Sequence, residues 1–264
     1  MHNTIRIATF NIHKGFSHFN AHFSLPNQRD LLRNLNADVI FLQEVQDAHI
    51  HHRKRFLAAE LVGGQVEFLA DAVWPAFSYG KNSAYPAGHH GNALLSKFAI
   101  SKTNNVDISA HKTEQRGMLH CEIEMPEWDL PLHTICVHLG LFAHWRHQQL
   151  NTVAEYIERH VPTDAPLIIA GDFNDWSARA GRAFAARLHL KEVFEHHAGK
   201  SARSFPAWLP LLRLDRIYVR GFQVKHVEIH AGTRLVKVSD HAILTATLVK
   251  ESVKEAIKNV NEND

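Results

Sequence analysis

The stretch PLIIAGDFNDWSARAG, Pro166 to Gly181, runs four apolar residues, Leu167 to Ala170, into a glycine and then sets Asp172, Asn174 and Asp175 almost side by side. A short apolar run that empties into a polar turn predicts a buried strand whose C-terminal end opens into a loop. That is where α/β proteins usually keep their chemistry.

Other apolar segments carry polar groups at their borders in the same way. IATF runs into Asn11, VIFLQ into Glu44 and TICV into His138; Asp215 stands inside RLDRIYV, and Asp240 and His241 precede AILTATL. Singly, each has a structural explanation. Asn11, Asp172 and Asn174 are turn formers, Glu44 could cap a helix, Asp215 could pair with Arg213 or Arg216, and His138 could be a satisfied core histidine. Repetition argues for more: acids, amides and imidazoles at the edges of six apolar strands are what one polar crevice at the edge of a sheet core requires.

The remaining pattern agrees. Alternation from Ile5 to Phe10 predicts an opening strand, leucines 31, 32 and 35 a helix, and Val39 to Leu42 a second buried strand. Residues 52–64 read as an amphipathic helix, Ala93–Ser96 as a strand with another near Val106. RGMLHCEIEM and LPLHTICVHLG read as strands paired through PEWDLP. A helix over Trp145–Arg159 places Leu150, Val153, Ala154 and Ile157 on one face, and GRAFAARLHL suggests another. LDRIYVRG, FQVKHVEIH and AILTATLV close the series as strands. With no repeat or linker, this predicts one domain over residues 1–249, a sheet core flanked by helices, and a charged tail over 250–264.

Composition bounds the function less tightly. The 264 residues are 45% hydrophobic and 21% charged, as in ordinary globular proteins. No signal-peptide pattern opens the chain and no run approaches the roughly 20 apolar residues of a membrane span, so the cytoplasm is the simplest address. Cys121 and Cys136 lie in strand-like runs and read as buried thiols. A net charge of +2 does not by itself indicate nucleic-acid binding. The histidine clusters around His51, His89 and His196 lack structural-zinc spacing and read as solvated surface.

The chain has no G-x-S-x-G elbow, Walker loop or G-x-G-x-x-G. Its strand-edge inventory suits hydrolysis of a phosphate ester instead. That reaction needs a hard divalent cation on oxygen ligands, an in-line water, and donors for phosphoryl charge. Glu44 and Asp240 can offer carboxylate oxygens, Asn11 and Asn174 amides, and His138 and His241 proton transfer or phosphate contacts.

In this order and spacing, TFNIHKG, FLQEV, GNALLSK, QRGML, VHLG, AGDFND, LDRIYV and SDHAIL resemble the endonuclease/exonuclease/phosphatase (DNase I-like) superfamily, from Thr9 to Leu248, and its compact bacterial branch in particular. The superfamily includes DNase I, apurinic endonucleases, neutral sphingomyelinases and inositol-polyphosphate 5-phosphatases. The resemblance implies a four-layer α/β/β/α sandwich of two packed mixed sheets flanked by helices. It implies a Mg²⁺ site, with Mn²⁺ as a substitute, at Asn11, Glu44 and Asp240. Asp172 would position or deprotonate the water, and Asn174 would hold the phosphate or that aspartate. His241, oriented by Asp215, would contact the phosphate or transfer a proton. His138 would bind phosphoryl oxygens or protonate the leaving group, and Arg116 would add a phosphate contact. The general base is left as a coupled Asp172 and His241 system.

The chain departs from the pattern in two places. It has His13 where apurinic endonucleases carry an acid, and Leu139 and Gly140 where sphingomyelinases typically show a glutamine.

The expected activity is phosphodiester hydrolysis, with nucleic acid and phospholipid head groups both open and no obligate protein partner evident. Lys14, Arg146, Arg179, Arg182 and Trp176 are candidates to ring a nucleic-acid crevice, against ordinary surface. FPAWLPLL, Phe205 to Leu212, reads either as a loop making peripheral contact with a bilayer or, the commoner behaviour, as a proline-bounded buried loop. Asp175 and Trp176 are where substrate choice is expected. A catalytically silent scaffold is the alternative, opposed by retention of the whole residue set.

Overall fold

The structure, a computed structural model, describes residues 3–17, 22–49, 64–85, 88–233 and 235–251. The helix expected over 52–64, except its last residue, the histidines around His51 and the tail from 252 lie outside them. Twelve strands are present among the described residues. They are β1 Thr4–Asn11, β2 Val39–His49, β3 Ala76–Tyr85, β4 Gly88–Ser96, β5 Ile100–Asp107, β6 Gly117–Ile123, β7 Leu132–His138, β8 Leu167–Asp172, β9 Lys191–Glu192, β10 Asp215–Arg220, β11 Phe222–His230 and β12 Ile243–Lys250. The helices are α1 Leu25–Asn34, α2 Gln65–Ala70, α3 Ala143–His160, α4 Arg179–Arg187 and α5 Val193–Ala198.

The strands make two six-stranded sheets, ordered β11-β12-β1-β2-β4-β3 and β5-β6-β7-β8-β10-β9. Three apolar layers explain why the central strands read as unbroken hydrophobic runs. One face of each sheet meets the other sheet through Ile5, Ile7, Val39 and Phe41 against Cys136, Ile168, Ala170 and Ile217. The outer face of the first sheet packs Phe10 and Ile40 under Leu25 and Leu32 of α1 and Leu69 of α2. The outer face of the second packs Ile135, Leu167 and Ile169 under Leu150, Val153 and Ile157 of α3. In LIIA, successive residues thus feed different apolar layers, and the protein is a four-layer α/β/β/α sandwich.

Topology places the site. In each sheet one pair is parallel, β1 with β2 and β7 with β8, and every neighbour of those pairs is antiparallel. Each parallel pair is joined through a helix, α1 or α3, as parallel strands require. The C-terminal ends of the parallel strands therefore lie beside the N-terminal ends of their antiparallel partners. Asn11, His138 and Asp172 end strands at this edge, while Asp215 begins one and Asp240 and His241 immediately precede another.

Several elements differ from expectation. The strand expected to end at Leu42 continues to His49 through a bulge between Leu42 and Val45. The edge strand β3 pairs only with β4, and its polar centre, Gly80 to Ser83, hid it from an apolar pattern. The α2 and α5 helices, six residues each, are too short for a periodic signal. Both cysteines are free and buried. No helix among the described residues is long and apolar enough to cross a membrane.

Candidate active site

Asp172 lies at the centre of the convergent edge, 2% exposed. The residue before it, Gly171, adopts φ +149°, and a Cβ there would collide with the Val137 carbonyl of the neighbouring strand, so the close approach requires glycine. The Asn174 backbone N–H donates to Asp172 Oδ1 at 2.9 Å and Asn11 Nδ2 to Oδ2 at 3.2 Å. Two imidazoles face that same Oδ2, His138 Nε2 at 3.6 Å and His241 Nε2 at 3.8 Å. Behind His241, its Nδ1 lies 2.9 Å from Asp215 Oδ2. Asp215 therefore gives one carboxylate oxygen, Oδ2, to the histidine while its Oδ1 is buried without a hydrogen bond, and neighbouring Arg216 donates to the backbone carbonyls of Asp215 and Asp175.

Asn174 was expected to hold either phosphate or Asp172. Its side-chain Nδ2 is committed to the Leu139 carbonyl at 2.9 Å and its backbone to Asp172, which favours the second role. Asp175 is buried, accepting from Ser177 Oγ and from the Gly181 N–H of α4, so it shapes the loop, while Trp176 is exposed.

Glu44 occupies the opposite wall. It sits in the β2 bulge at φ 56°, and the positive φ values of His13 and Lys14 (48° and 59°) and of Asn174 (50°) gather at the same crevice. Left-handed conformations in non-glycine residues cost of order 1–3 kcal/mol each and cluster where a site is pre-shaped. Glu44 Oε2 is buried without a hydrogen bond, with Lys14 Nζ at 3.7 Å, while the next residue back, His13, places Nδ1 3.7 Å from Asp240 Oδ1. The turn His13–Gly15 thus reaches both expected metal-binding carboxylates. Asn11 Oδ1 accepts from the His13 N–H at 3.0 Å, and an amide oxygen keeps a second lone pair. The compact ligating group here is Asp172, Asp215 and His241, with atoms within 4.8 Å of one another. Glu44 and Asp240 are not part of it.

The protonation states diverge. Burial pushes the Glu44 carboxyl up, but the charges of His138, Lys14, His13 and His241 together hold it at about 2. Burial, with Asp215 adding to it, pushes Asp172 up to about 6 against the restraining charge of His241. His138 is driven well below its ordinary value by burial and then by Arg116. His241 goes the other way: burial depresses it, yet the charge and hydrogen bond of Asp215, with Asp172 and Asp240, raise it to about 10. Near neutral pH the site holds an ionised Glu44, a protonated His241 and a carboxyl at Asp172 close to its own pKa.

A small open cleft lies between Glu44 and His138, lined also by Asn82, His90, Asn92 and Arg116. Arg116 lies 3.6 Å from Glu114 and keeps its Nε buried and unbonded. Asn92 ties Gly117 and Cys136 carbonyls together through Nδ2 while its Oδ1 has no partner. Sequence reasoning missed Asn82, His90 and Asn92 as cleft residues. Asn92 carried a usable signal, a lone amide opening the run ALL, and His90 corrects the reading of the GHHG histidines as solvated surface. Arg146 is a second correction: it is buried, donating to the Gly140 and Leu141 carbonyls, and belongs to the scaffold.

The comparisons with known proteins bear on the fold and the family. A family model described as the Endonuclease/Exonuclease/phosphatase family matches residues 8–241. The uncharacterised protein YbhP of Escherichia coli K12 is 42% identical over 253 residues, covering 93% of this chain and 96% of YbhP, and YbhP of Shigella flexneri matches equally. An endonuclease/exonuclease/phosphatase structure from Beutenbergia cavernae superposes with a TM-score of 0.74 at 17% identity, over 95% of this chain and 72% of that one. The Bacteroides thetaiotaomicron mannosyl-6-phosphatase Bt3783 gives 0.69 at 17% identity, over 93% and 99%. With the family model spanning both walls of the crevice, from the strand of Asn11 to His241, the chain belongs to the endonuclease/exonuclease/phosphatase family.

Proposed function

We propose that the protein is a Mg²⁺-dependent phosphodiesterase acting by in-line attack of water, with Mn²⁺ able to replace Mg²⁺. The observation that carries this reading is Asp172 Oδ2 placed within 3.8 Å of both His138 and His241, opposite the ionised Glu44. The family's metal-dependent phosphoester chemistry supports it.

The residues fit a hard cation. Glu44 presents a buried ionised oxygen without a hydrogen bond, Asp240 a second carboxylate, and Asn11 an amide oxygen. When bound there, a divalent cation supplies positive charge at the phosphoryl oxygens.

The chain's own groups divide the remaining work. Asp172, with a pKa near neutral and fixed by Asn11 and Asn174, removes the proton from the attacking water. His241 is held protonated by Asp215 and donates to a phosphoryl oxygen, so at neutral pH it is not the base. His138 binds the phosphoryl group beside it, and Arg116 adds charge from the cleft.

The test is hydrolysis of bis(p-nitrophenyl) phosphate beside p-nitrophenyl phosphate, with Mg²⁺, Mn²⁺ or chelator, in the wild type and in Glu44→Ala and His241→Ala. Metal-dependent diester hydrolysis lost in both variants is expected. Wild-type rates in the variants would overturn the assignment.

A further inference from the structure

We propose that the rim of this crevice is a docking surface for an anionic phospholipid bilayer, which presents headgroup phosphodiesters to Asp172 and His241. This rests on the phosphodiesterase reading and names its substrate class. FPAWLPLL reads from the sequence either as a loop in contact with a bilayer or as a buried loop, and its tip is exposed: Trp208, Leu209, Leu211 and Leu212 are 41–55% exposed. The loop is nevertheless built and held. Phe205 and Leu212 form an antiparallel bridge, with the Leu212 N–H donating to the Phe205 carbonyl at 2.8 Å, so the tip projects from a closed base. That base touches the chemistry: the Phe205 ring lies 5.1 Å from the His241 ring, and the Ala207 N–H donates to the Asp240 carbonyl at 2.7 Å.

A second apolar group continues the rim. Leu141 and Phe142 follow His138 by three and four residues, and Trp176 follows Asn174 by two; all three are 52–57% exposed. Arg146, stacked over Trp176 at 5.1 Å and bonded to the Leu141 carbonyl, fixes them together. The Phe173 N–H to the Leu214 carbonyl, at 2.9 Å, ties this loop to the foot of the first. Exposed apolar side chains are ordinary when scattered; gathered on loops that carry catalytic residues, they mark a contact surface.

The chemistry of the patch selects its occupant. Four of the seven exposed side chains are leucines, which have no π face on which to stack a base, whereas a hydrocarbon layer accepts them. Tryptophans beside them suit the headgroup boundary. Charge is complementary to anionic lipid. From Gly199 to Leu214 the chain carries Lys200, Arg203 and Arg213 without one acid, and Arg179 follows Trp176 by three residues, whereas Arg187 and Lys191 are paired with Glu158 and Glu251.

The experiment is flotation of the full chain with phosphatidylcholine vesicles, with and without phosphatidylglycerol, for wild type, the double variant Trp208→Ser/Leu211→Ser, and Glu44→Ala. Hydrolysis of bis(p-nitrophenyl) phosphate controls for folding in the wild type and the double variant, and near-UV dichroism does so for Glu44→Ala. Wild type and Glu44→Ala are expected to float with the anionic vesicles in a salt-sensitive way. The double variant should lose about tenfold or more of that binding while keeping its rate on the soluble diester. Absence of flotation in an enzyme active on the soluble diester overturns docking alone. Flotation indifferent to the double substitution, or loss of oligonucleotide binding in its place, also overturns it. Flotation without any diester hydrolysis leaves docking standing and removes the phosphodiesterase reading.

Discussion

Two buried histidine–carboxylate clusters in this protein use the same residue types and reach opposite states. In the crevice, Asp172, Asp215 and His241 bring ligating atoms within 4.8 Å, and so do His120, Glu122 and His133 on the outer face of β6 and β7. His241 is raised to about 10. His120 falls to about 4, through burial first and the neighbouring His133 second, and His133 is lowered as well. Burial pushes every one of these imidazoles down. What reverses the sign is the count of uncompensated anions. Asp215, Asp172 and Asp240 all act on His241, whereas Glu122 is shared by two imidazoles and held by Lys102 at 3.1 Å. The second cluster is otherwise closed, with His120 bonded to His133 at 3.0 Å and to the Tyr156 hydroxyl at 3.1 Å. One cluster stores a proton at a strand-edge crevice; the other is a neutral network under α3.

Asp215→Asn should break the contrast most strongly. It removes the anion that opposes burial and lets His241 titrate more as His120 does. We expect kcat/KM on a soluble diester to fall by about 10²- to 10⁴-fold with the near-UV dichroism retained. An unchanged rate would reduce the pair to a structural contact.

His120→Gln sharpens the contrast from the other side, leaving that rate within about twofold. Its effect lies in stability. The unfolded His120 gains a proton below about 6.5 and the folded one only below about 4, so its contribution is complete above pH 6.5 and is lost as pH falls toward 4. At about 1.4 kcal/mol per unit over that interval, the loss is up to about 3 to 4 kcal/mol. Urea unfolding at pH 7 and pH 4.5 should show a smaller difference in the variant than in the wild type, and equal differences would refute the assignment.

Lys102→Ala is the gentlest change. Lys102 is well exposed, so stability should shift by no more than ~0.5 kcal/mol. Freed of its partner, Glu122 should still raise both His120 and His133 in an NMR titration. No movement would show that Lys102 does not set their neutral state.

Much of the site was legible because chemistry-bearing residues interrupt apolar runs. Asn11, His138 and Asp172 stand at the strand ends where the pattern put them. Glu44 was read correctly as following a buried run, but the strand continues past it through a bulge, a backbone event that leaves no mark in polarity. His90 and Arg146 were misplaced for a related reason. Polarity says that a side chain wants partners; it does not say whether those partners are water, a cleft or a pair of backbone carbonyls. The Phe205–Leu212 loop reads either way from the sequence, since an apolar run normally implies burial and here its tip is left outside.

The sequence by itself determined the inventory, namely oxygen and imidazole groups bordering apolar strands, and with it a sheet core flanked by helices; the four-layer sandwich came with the family resemblance. Only the tertiary structure decided how those groups act. Asn11 and Asp172 are 161 residues apart, and their hydrogen bond exists because two parallel strand pairs and their antiparallel neighbours end at one edge. Protonation followed from the same convergence. Desolvation and Coulomb interactions depend on distances between atoms, and those distances are set by packing rather than by position along the chain.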